Sequence, residues 1–228
     1  MSKRIVAVVP VRKGSQRVKS KNTKNFADTS LLALKLKVLK SVEGLADIIV
    51  STDCDIAVDI AQKNGVSVHR REEYFASSVV TNDQHWKHIA ESTPADVIMM
   101  AQTTSPMVRV ATYQQALDQF VNSSRDEIDS VNSVTPEKKF LWLNGAPLNY
   151  DINKTPKSQD LPDIVSLNFA ITIIERDLMI ERMNVVGNKP RFITLDRLES
   201  VDVDDELDFD FAEYLYKRLG YEWIANGA

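Results

Sequence analysis

Short apolar runs alternate with helical patterns from the N-terminus onward, and this alternation restricts the fold more than any other feature. Five runs rich in β-branched residues predict strands, at 4–9, 47–51, 67–70, 96–101 and 128–134. Four segments between them predict helices, at 30–42, 55–65, 82–92 and 110–122. A strand-helix-strand repeat of this kind predicts an α/β layered fold around a mostly parallel sheet, in which ligands bind at the carboxyl ends of the strands.

The character of the chain changes at 135–165, which holds four of the eight prolines and has no clear helical period. Such segments usually lie over a surface or reach a partner. The regular elements then resume as a strand at 166–174, a helix near 175–183, a strand at 191–195 and a closing amphipathic helix at 205–220. With 228 residues and 43% hydrophobic residues, we expect a single domain spanning 1–228, in which 135–165 forms an arm.

Apolar runs in this chain are short. No run approaches the ~18 apolar residues that a membrane helix needs, and the first apolar run is too short for the core of a signal peptide. We therefore predict a cytoplasmic protein with no membrane partner. The single cysteine, Cys54, excludes an internal disulfide and a cysteine metal cluster.

The segment VRKGSQRVKSKNTK, residues 11–24, is strongly basic, although the whole chain has a net charge of −4. It holds six cations and no acidic residue: Arg12, Lys13, Arg17, Lys19, Lys21 and Lys24. An anion would relieve their repulsion, and phosphate suits both the arginine fork and the lysine point charge, while Gly14 and Ser15 allow backbone N–H groups to approach. The alternative is a solvated charged loop. Neither the Walker pattern nor GxGxxG is present.

An acidic segment, residues 199–210, carries seven carboxylates near the other end of the chain. If its SVDVD stretch is a strand, Val201 and Val203 face the core while Asp202 and Asp204 project together from the opposite face. Two adjacent carboxylates suit Mg²⁺, which in proteins is also coordinated by waters and substrate phosphates. The alternative is that Asp204 or Asp205 caps the final helix. Together, the basic and acidic segments predict a site for a nucleoside triphosphate and Mg²⁺.

Five motifs then occur in a familiar order. The first strand leads into Pro10, Arg12, Gly14, Ser15, Lys21 and Asn22. The others are VSTD at 50–53, QTTSP at 102–106, NFAITI at 168–173 and SVDVDDELDF at 200–209. With these motifs the chain resembles the acylneuraminate cytidylyltransferases, the CMP-sialic acid synthetases, over nearly its whole length.

The resemblance implies a three-layer Rossmann-like nucleotidyltransferase fold with a small dimerisation extension. It also implies that CTP and an acidic 2-keto sugar react, with Mg²⁺, to give the CMP-sugar and pyrophosphate. The implied nucleotide-binding residues are Arg12, Gly14, Ser15, Lys21 and Asn22. The implied sugar-binding residues are Gln102, Ser105, Asn168 and Phe169. Asp202 and Asp204 would hold the metal, and Arg12, Lys21 and Asp204 would act in catalysis.

The same resemblance implies a homodimer, in which the arm crosses to the neighbouring site and Lys138 or Lys139 reaches the sugar carboxylate. Departures from the family pattern concern the sugar end. Thr103 stands in place of a proline, Phe169 in place of a glycine, and Lys157 and Ser166 near two family arginines. We therefore expect a nonulosonic acid related to sialic acid. The alternatives are another ulosonic acid such as 3-deoxy-manno-octulosonic acid, or an inactive relative that binds nucleotide.

Several other residues have simpler interpretations. Asp53 is expected to cap a helix rather than to bind metal, and Arg109 is left open between a sugar contact and another role. His69, His85 and His88 have no convincing ligand spacing and are expected to face solvent or lie satisfied in the core. A nucleic-acid partner is disfavoured, because the chain is acidic overall and its one basic loop has no interleaved aromatic residues.

Overall fold

A seven-stranded sheet runs through the computed structural model, which describes residues 3–15 and 17–227. Gln16, inside the predicted basic loop, lies outside the described residues. The described residues form nine strands: β1 Ile5–Val11, β2 Asp47–Thr52, β3 Ser67–Arg70, β4 Val97–Ala101, β5 Ser130–Pro136, β6 Trp142–Leu143, β7 Ala146–Pro147, β8 Val165–Glu175 and β9 Pro190–Thr194. They also form seven α-helices: α1 Leu31–Leu39, α2 Asp55–Lys63, α3 Glu73–Ala76, α4 Asn82–Glu91, α5 Val110–Val121, α6 Arg176–Arg182 and α7 Glu206–Asn226.

The strand order in the main sheet is β3-β2-β1-β4-β8-β5-β9. Only β8 runs antiparallel to its neighbours β4 and β5, while the other neighbouring strands pair in parallel. Ala101 at the end of β4 pairs with Ile171, so the residues of β8 that precede Ile171 lie beyond the carboxyl end of β4. The predicted mostly parallel sheet is confirmed, and β8 adds its first half to the ligand-binding edge.

Alternate residues of each strand serve two cores, one on each face of the sheet. In β1, Ala7 and Val9 join a cluster formed with α1, α2, α5 and α7, whereas Val6 and Val8 join a cluster formed with α4 and α6. All four side chains are fully buried. Helices on both faces of one sheet give three layers, because each amphipathic helix buries its apolar face against the strands.

Three local predictions change in the structure. Residues 201–204 keep the predicted alternation but form no strand, since their backbone does not pair along a sheet edge. The closing helix continues to Asn226 across a kink at Gly220, whose φ of 75° only glycine adopts readily. The arm at 135–165 holds a short hairpin of β6 and β7 and a 3₁₀ turn at Ser158–Asp160. Among the described residues, no helix is both long and apolar enough to cross a membrane.

Candidate active site

The basic loop, residues 12–24, leaves the carboxyl end of β1 and is anchored at several points. Val18 is fully buried, and the carbonyl of Asn22 accepts a hydrogen bond from the Leu32 N–H at 3.0 Å. Asp53 Oδ1 accepts from the Lys13 N–H at 2.8 Å. The sequence suggested that Asp53 caps α2, but the N-cap residue of that helix is Cys54. It holds the basic loop against the end of β2.

The acidic segment reaches the same edge of the sheet through one backbone hydrogen bond. The N–H of the buried Val203 donates to the Thr104 carbonyl at 2.8 Å, so the two aspartates flanking Val203 lie beside the end of β4. Asp205 begins α7 and forms a reciprocal capping box with Asp208. The sequence left open whether Asp204 or Asp205 caps the final helix. The cap is Asp205, which leaves Asp204 available for another role.

The two charged segments meet. Arg17 forms an ion pair with Asp204 at 2.6 Å, and Lys21 Nζ donates to the Val203 carbonyl at 2.6 Å. Lys24 adds a further ion pair with Glu206 at 2.8 Å. The convergence expected from the sequence is therefore present, with Arg17 as a direct partner of the acidic segment.

The pKa of Asp202 is displaced by its surroundings. Burial raises the pKa of Asp202 most, repulsion from Asp204 raises it further, and a hydrogen bond from Thr104 and the charge of Lys21 oppose the rise. Asp202 is nevertheless exposed to solvent as a whole residue. Burial lowers the pKa of Lys21, and both aspartates partly restore it. A divalent cation between the carboxylates would remove their repulsion, so the oxygen donors present fit Mg²⁺.

One cavity of about 520 Å³ opens beside these residues. Seven of the residues predicted for the site line it: Arg12, Ser15, Lys21, Asn22, Gln102, Phe169 and Asp204. Cations from the loop after β1 and the acid before α7 therefore share a space with residues from the ends of β4 and β8. A cavity of this size falls within the range of small-molecule sites.

Four other predicted residues, all within the described chain, lie outside the cavity lining: Gly14, Ser105, Asn168 and Asp202. A Cβ at Gly14 would meet open space. Ser105 is buried, and its carbonyl accepts from Lys35 Nζ at 2.9 Å. The Asn168 side chain bonds to the Thr135 hydroxyl and the Ala170 N–H. Both residues therefore lie outside the cavity lining, and their contact with the sugar stays a prediction.

Arg71 is a cavity residue that the sequence reasoning missed. Its guanidinium donates to the carbonyls of Val11 and Ser51 at 2.7 and 2.9 Å and lies 3.2 Å from His85 Nδ1. Burial lowers the pKa of Arg71 to about 10, so it remains a cation at neutral pH. Its position directly after β3, at the carboxyl edge, is the signal that could have identified it.

His85 and Trp86 on α4 also line the cavity, contrary to the expectation that His85 faces solvent or the core. Burial first, and then the nearby Arg71 charge, lower the pKa of His85 to about 4. The imidazole is therefore neutral at pH 7. His88, one turn along, stacks on Phe75 with ring centroids 3.7 Å apart and packs near His69.

Two further residues acquire defined structural roles. The Thr103 hydroxyl donates to Asn22 Oδ1 at 2.8 Å, so the residue that replaces the family proline orients a predicted nucleotide-binding side chain. Arg109 forms ion pairs with the buried Glu199 at 2.7 Å and with Asp196 at 2.8 Å. Arg109 is not part of the cavity lining. Its ion pairs connect the start of α5 to the acidic segment and to the residues just before that segment.

Comparison with known proteins places this geometry in a family. Residues 6–190 match the family model described as Cytidylyltransferase. CMP-N,N'-diacetyllegionaminic acid synthase of Legionella pneumophila is 29% identical, over 93% of this chain and 96% of its own length. N-acylneuraminate cytidylyltransferase of Oncorhynchus mykiss is 28% identical over 95% of this chain, which spans only 51% of that relative.

The fold also resembles the solved structure of a CMP:2-keto-3-deoxy-manno-octonic acid synthetase complexed with CTP. The two chains superpose with a TM-score of 0.68 at 15% identity, covering 94% of this chain and 99% of the other. That likeness concerns the fold, including the mostly parallel sheet of an α/β nucleotidyltransferase. Since the family model matches most of the sequence, the chain belongs to the Cytidylyltransferase family.

Proposed function

We propose that this protein uses CTP to activate an acidic 2-keto sugar related to sialic acid. The sugar's anomeric hydroxyl oxygen forms a bond to the α-phosphorus, while the bond from that phosphorus to the oxygen bridging to the β-phosphate breaks. The products are the CMP-sugar and pyrophosphate, and the hydroxyl proton passes to solvent. The relatives that carry the names of sialic and legionaminic acid enzymes support this sugar class.

This proposal rests mainly on one observation. Arg12, Arg17 and Lys21 line the same cavity as Asp204. Gln102 and Phe169 line it as well. Cations placed there would neutralise charge on the phosphorus oxygens and position the triphosphate. Arg12 and Lys21 would hold the triphosphate, and Asn22, oriented by Thr103, would bind the nucleoside side. Gln102 and Phe169 would contact the sugar.

We propose that Asp202 and Asp204 hold Mg²⁺. When bound, the ion would neutralise charge on the phosphates and lower the pKa of the attacking hydroxyl. Arg17 pairs with Asp204 in this structure. If Mg²⁺ took its place beside Asp204, the Arg17 side chain would be released to contact phosphate. No group of three or more His, Cys, Asp or Glu side chains suited to a metal occurs in residues 3–15 and 17–227, so substrate and water would complete the coordination.

We propose a homodimer formed through the arm. Six large apolar side chains of the arm are 40–58% exposed: Phe140, Trp142, Leu143, Leu148, Ile152 and Val165. A cluster of this kind is typical of a protein interface. Lys138 pairs with Asp163 and Lys139 with Glu137, so either lysine would have to change partner to reach a sugar carboxylate. The cytoplasmic location remains a prediction from the sequence.

The decisive experiment measures pyrophosphate release from CTP and Mg²⁺ with sialic, legionaminic, pseudaminic and octulosonic acids. We expect turnover with a nine-carbon acid, and CTP should raise the melting temperature more than ATP, GTP or UTP. Binding at 100 times Kd adds about 2.7 kcal/mol to stability. Turnover with the octulosonic acid alone would favour the alternative substrate. CTP binding without release from any acid would indicate an inactive relative.

A further inference from the structure

Phe169 occupies a strained backbone position at the edge of the cavity. Its φ is 55°, in the left-handed region that a bulky side chain rarely adopts. It lies where β8 bulges: Asn132 pairs with Thr172, but Val134 pairs with Leu167, so the four residues between Leu167 and Thr172 oppose a single residue of β5. A bulge re-aims side chains, and such bulges often lie next to active sites.

The surrounding hydrogen bonds hold this conformation in place. Asn168 Oδ1 accepts from the Ala170 N–H at 3.2 Å, and Asn168 Nδ2 donates to the Thr135 hydroxyl at 2.9 Å. Ser133 Oγ accepts from the Ile171 N–H at 2.9 Å. Strain of this kind persists only when its surroundings determine it, and it concentrates at functional positions.

The strained residue lines the cavity, and its side chain is only partly buried there. Phe169 remains 36% exposed, and its ring centroid lies 6.1 Å from that of Trp86 on α4. Trp86 packs against the core cluster that contains Met100 and Val185, and all of these residues line the cavity. One wall of the cavity is therefore aromatic and apolar, while another carries Arg12, Arg17 and Lys21.

We infer that Phe169 and Trp86 form a specificity wall, which selects acidic sugars carrying a methyl or acyl group where the wall meets the substrate. This inference rests on the proposed function and names its substrate class more closely. An aromatic face gains from contact with an apolar group. A hydroxyl pressed against it would lose hydrogen bonds to water without replacement. Phe169 is thus a specificity-determining residue.

The test measures kcat/KM for pyrophosphate release with two matched pairs of nine-carbon acids. One pair differs by a terminal methyl against a hydroxymethyl group, and the other by an acetamido group against a free amine. The wild type should prefer the more apolar member of at least one pair by about tenfold. Phe169→Gly and Phe169→Ala should both reduce that ratio toward one, as should Trp86→Ala.

The two substitutions at Phe169 separate the ring from the backbone strain. Both remove the ring, but only glycine relieves the positive φ, so Phe169→Gly should melt at a higher temperature than Phe169→Ala. Met183→Gly is the matched control, because Met183 also has a positive φ, of 52°, at the end of α6 outside the cavity lining. It should leave the substrate ratio unchanged.

The outcomes distinguish this inference from the proposed function. Turnover with an unchanged ratio in the Phe169 variants, or a wild type that prefers the apolar member of neither pair, would overturn the specificity wall alone. Absence of turnover with every acid would overturn the proposed function and the inference with it. If a Phe169 variant fails to fold, the ratio measured for Trp86→Ala decides.

Discussion

At the scale of single residues, neighbouring carboxylates in one short segment have separate roles. Asp205 is committed to capping α7, whereas Asp204 faces the cavity and pairs with Arg17. Both follow Val203, whose burial and backbone bond to Thr104 set the register. A shift of one residue would therefore exchange the cap and the acid of the site.

Asp204→Asn should reduce turnover at least a hundredfold, because the amide keeps the size of the side chain but removes the charge that would bind Mg²⁺. The melting temperature should change little, since the ion pair with Arg17 is exposed and such pairs contribute ~0–1 kcal/mol. Asp205→Asn is the control, because asparagine caps a helix about as well as aspartate. Equal activity of the two variants would contradict the metal role of Asp204.

Lys35 on α1 provides a prediction on stability and pH. It is buried, donates to the Ser105 carbonyl and to the Tyr113 hydroxyl at 2.7 Å, and burial lowers its pKa to about 7. Between pH 7 and 10 the unfolded chain binds more protons here than the folded chain. The contribution of Lys35 to the free energy of unfolding should therefore rise with pH, by at most about 1.4 kcal/mol per pH unit.

Denaturant titrations at pH 7, 8, 9 and 10 check this prediction. The free energy of unfolding of the wild type should increase relative to that of Lys35→Met as pH rises. Lys37→Met, at an exposed position on the same helix, should run parallel to the wild type. Parallel curves for Lys35→Met and the wild type would show that Lys35 has an ordinary pKa.

At the scale of elements, the basic loop depends on its neighbours for its shape. Its interior is anchored by Val18 and Asn22, and its beginning is held by the bond from the Lys13 N–H to Asp53. The helical periods and strand runs of the sequence were sufficient to place β1, β2 and α2, because those signals are local. The partner of Asp53 is forty residues away along the chain, so local propensity could not identify it.

Asp53→Ala should loosen the basic loop and raise KM for CTP about tenfold, with a smaller effect on kcat. The physical reason is that a hydrogen bond to a charged acceptor contributes about 1.5–3 kcal/mol, and tenfold corresponds to about 1.4 kcal/mol. Asp59→Ala, exposed on α2, is the control for removing a nearby acidic residue. An unchanged KM would show that the loop holds its shape without Asp53.

At the scale of the whole molecule, the arm leaves several of its large apolar side chains exposed. Its β6–β7 hairpin exposes Trp142 by 52% and Leu143 by 58%. Its prolines and lack of period predicted an irregular segment, but the sequence could not show which of its apolar side chains would remain at the surface. The exposure of each apolar side chain depends on how the arm packs in three dimensions.

Leu143→Asp should convert a dimer into a monomer, because an aspartate placed in an apolar interface loses hydration without gaining a partner. Analytical ultracentrifugation should then report the mass of one chain, and turnover should fall if the arm completes the neighbouring site. Val121→Asp, at an exposed apolar position on α5, should leave the mass unchanged. A wild-type monomer, or a Leu143→Asp dimer, would contradict the arm-mediated assembly.

Apart from α3 and the β6–β7 hairpin, the sequence by itself determined the order of the strands and helices, the mostly parallel sheet and the two charged segments that meet at its edge. Periodicity and charge are local properties, and they can be read along the chain. Only the tertiary structure decided that Arg71, His85 and Trp86 line the cavity, that Ser105 and Asn168 do not, and that Asp205 is the cap. These outcomes depend on contacts between distant segments, and local pattern does not encode which side chains meet there.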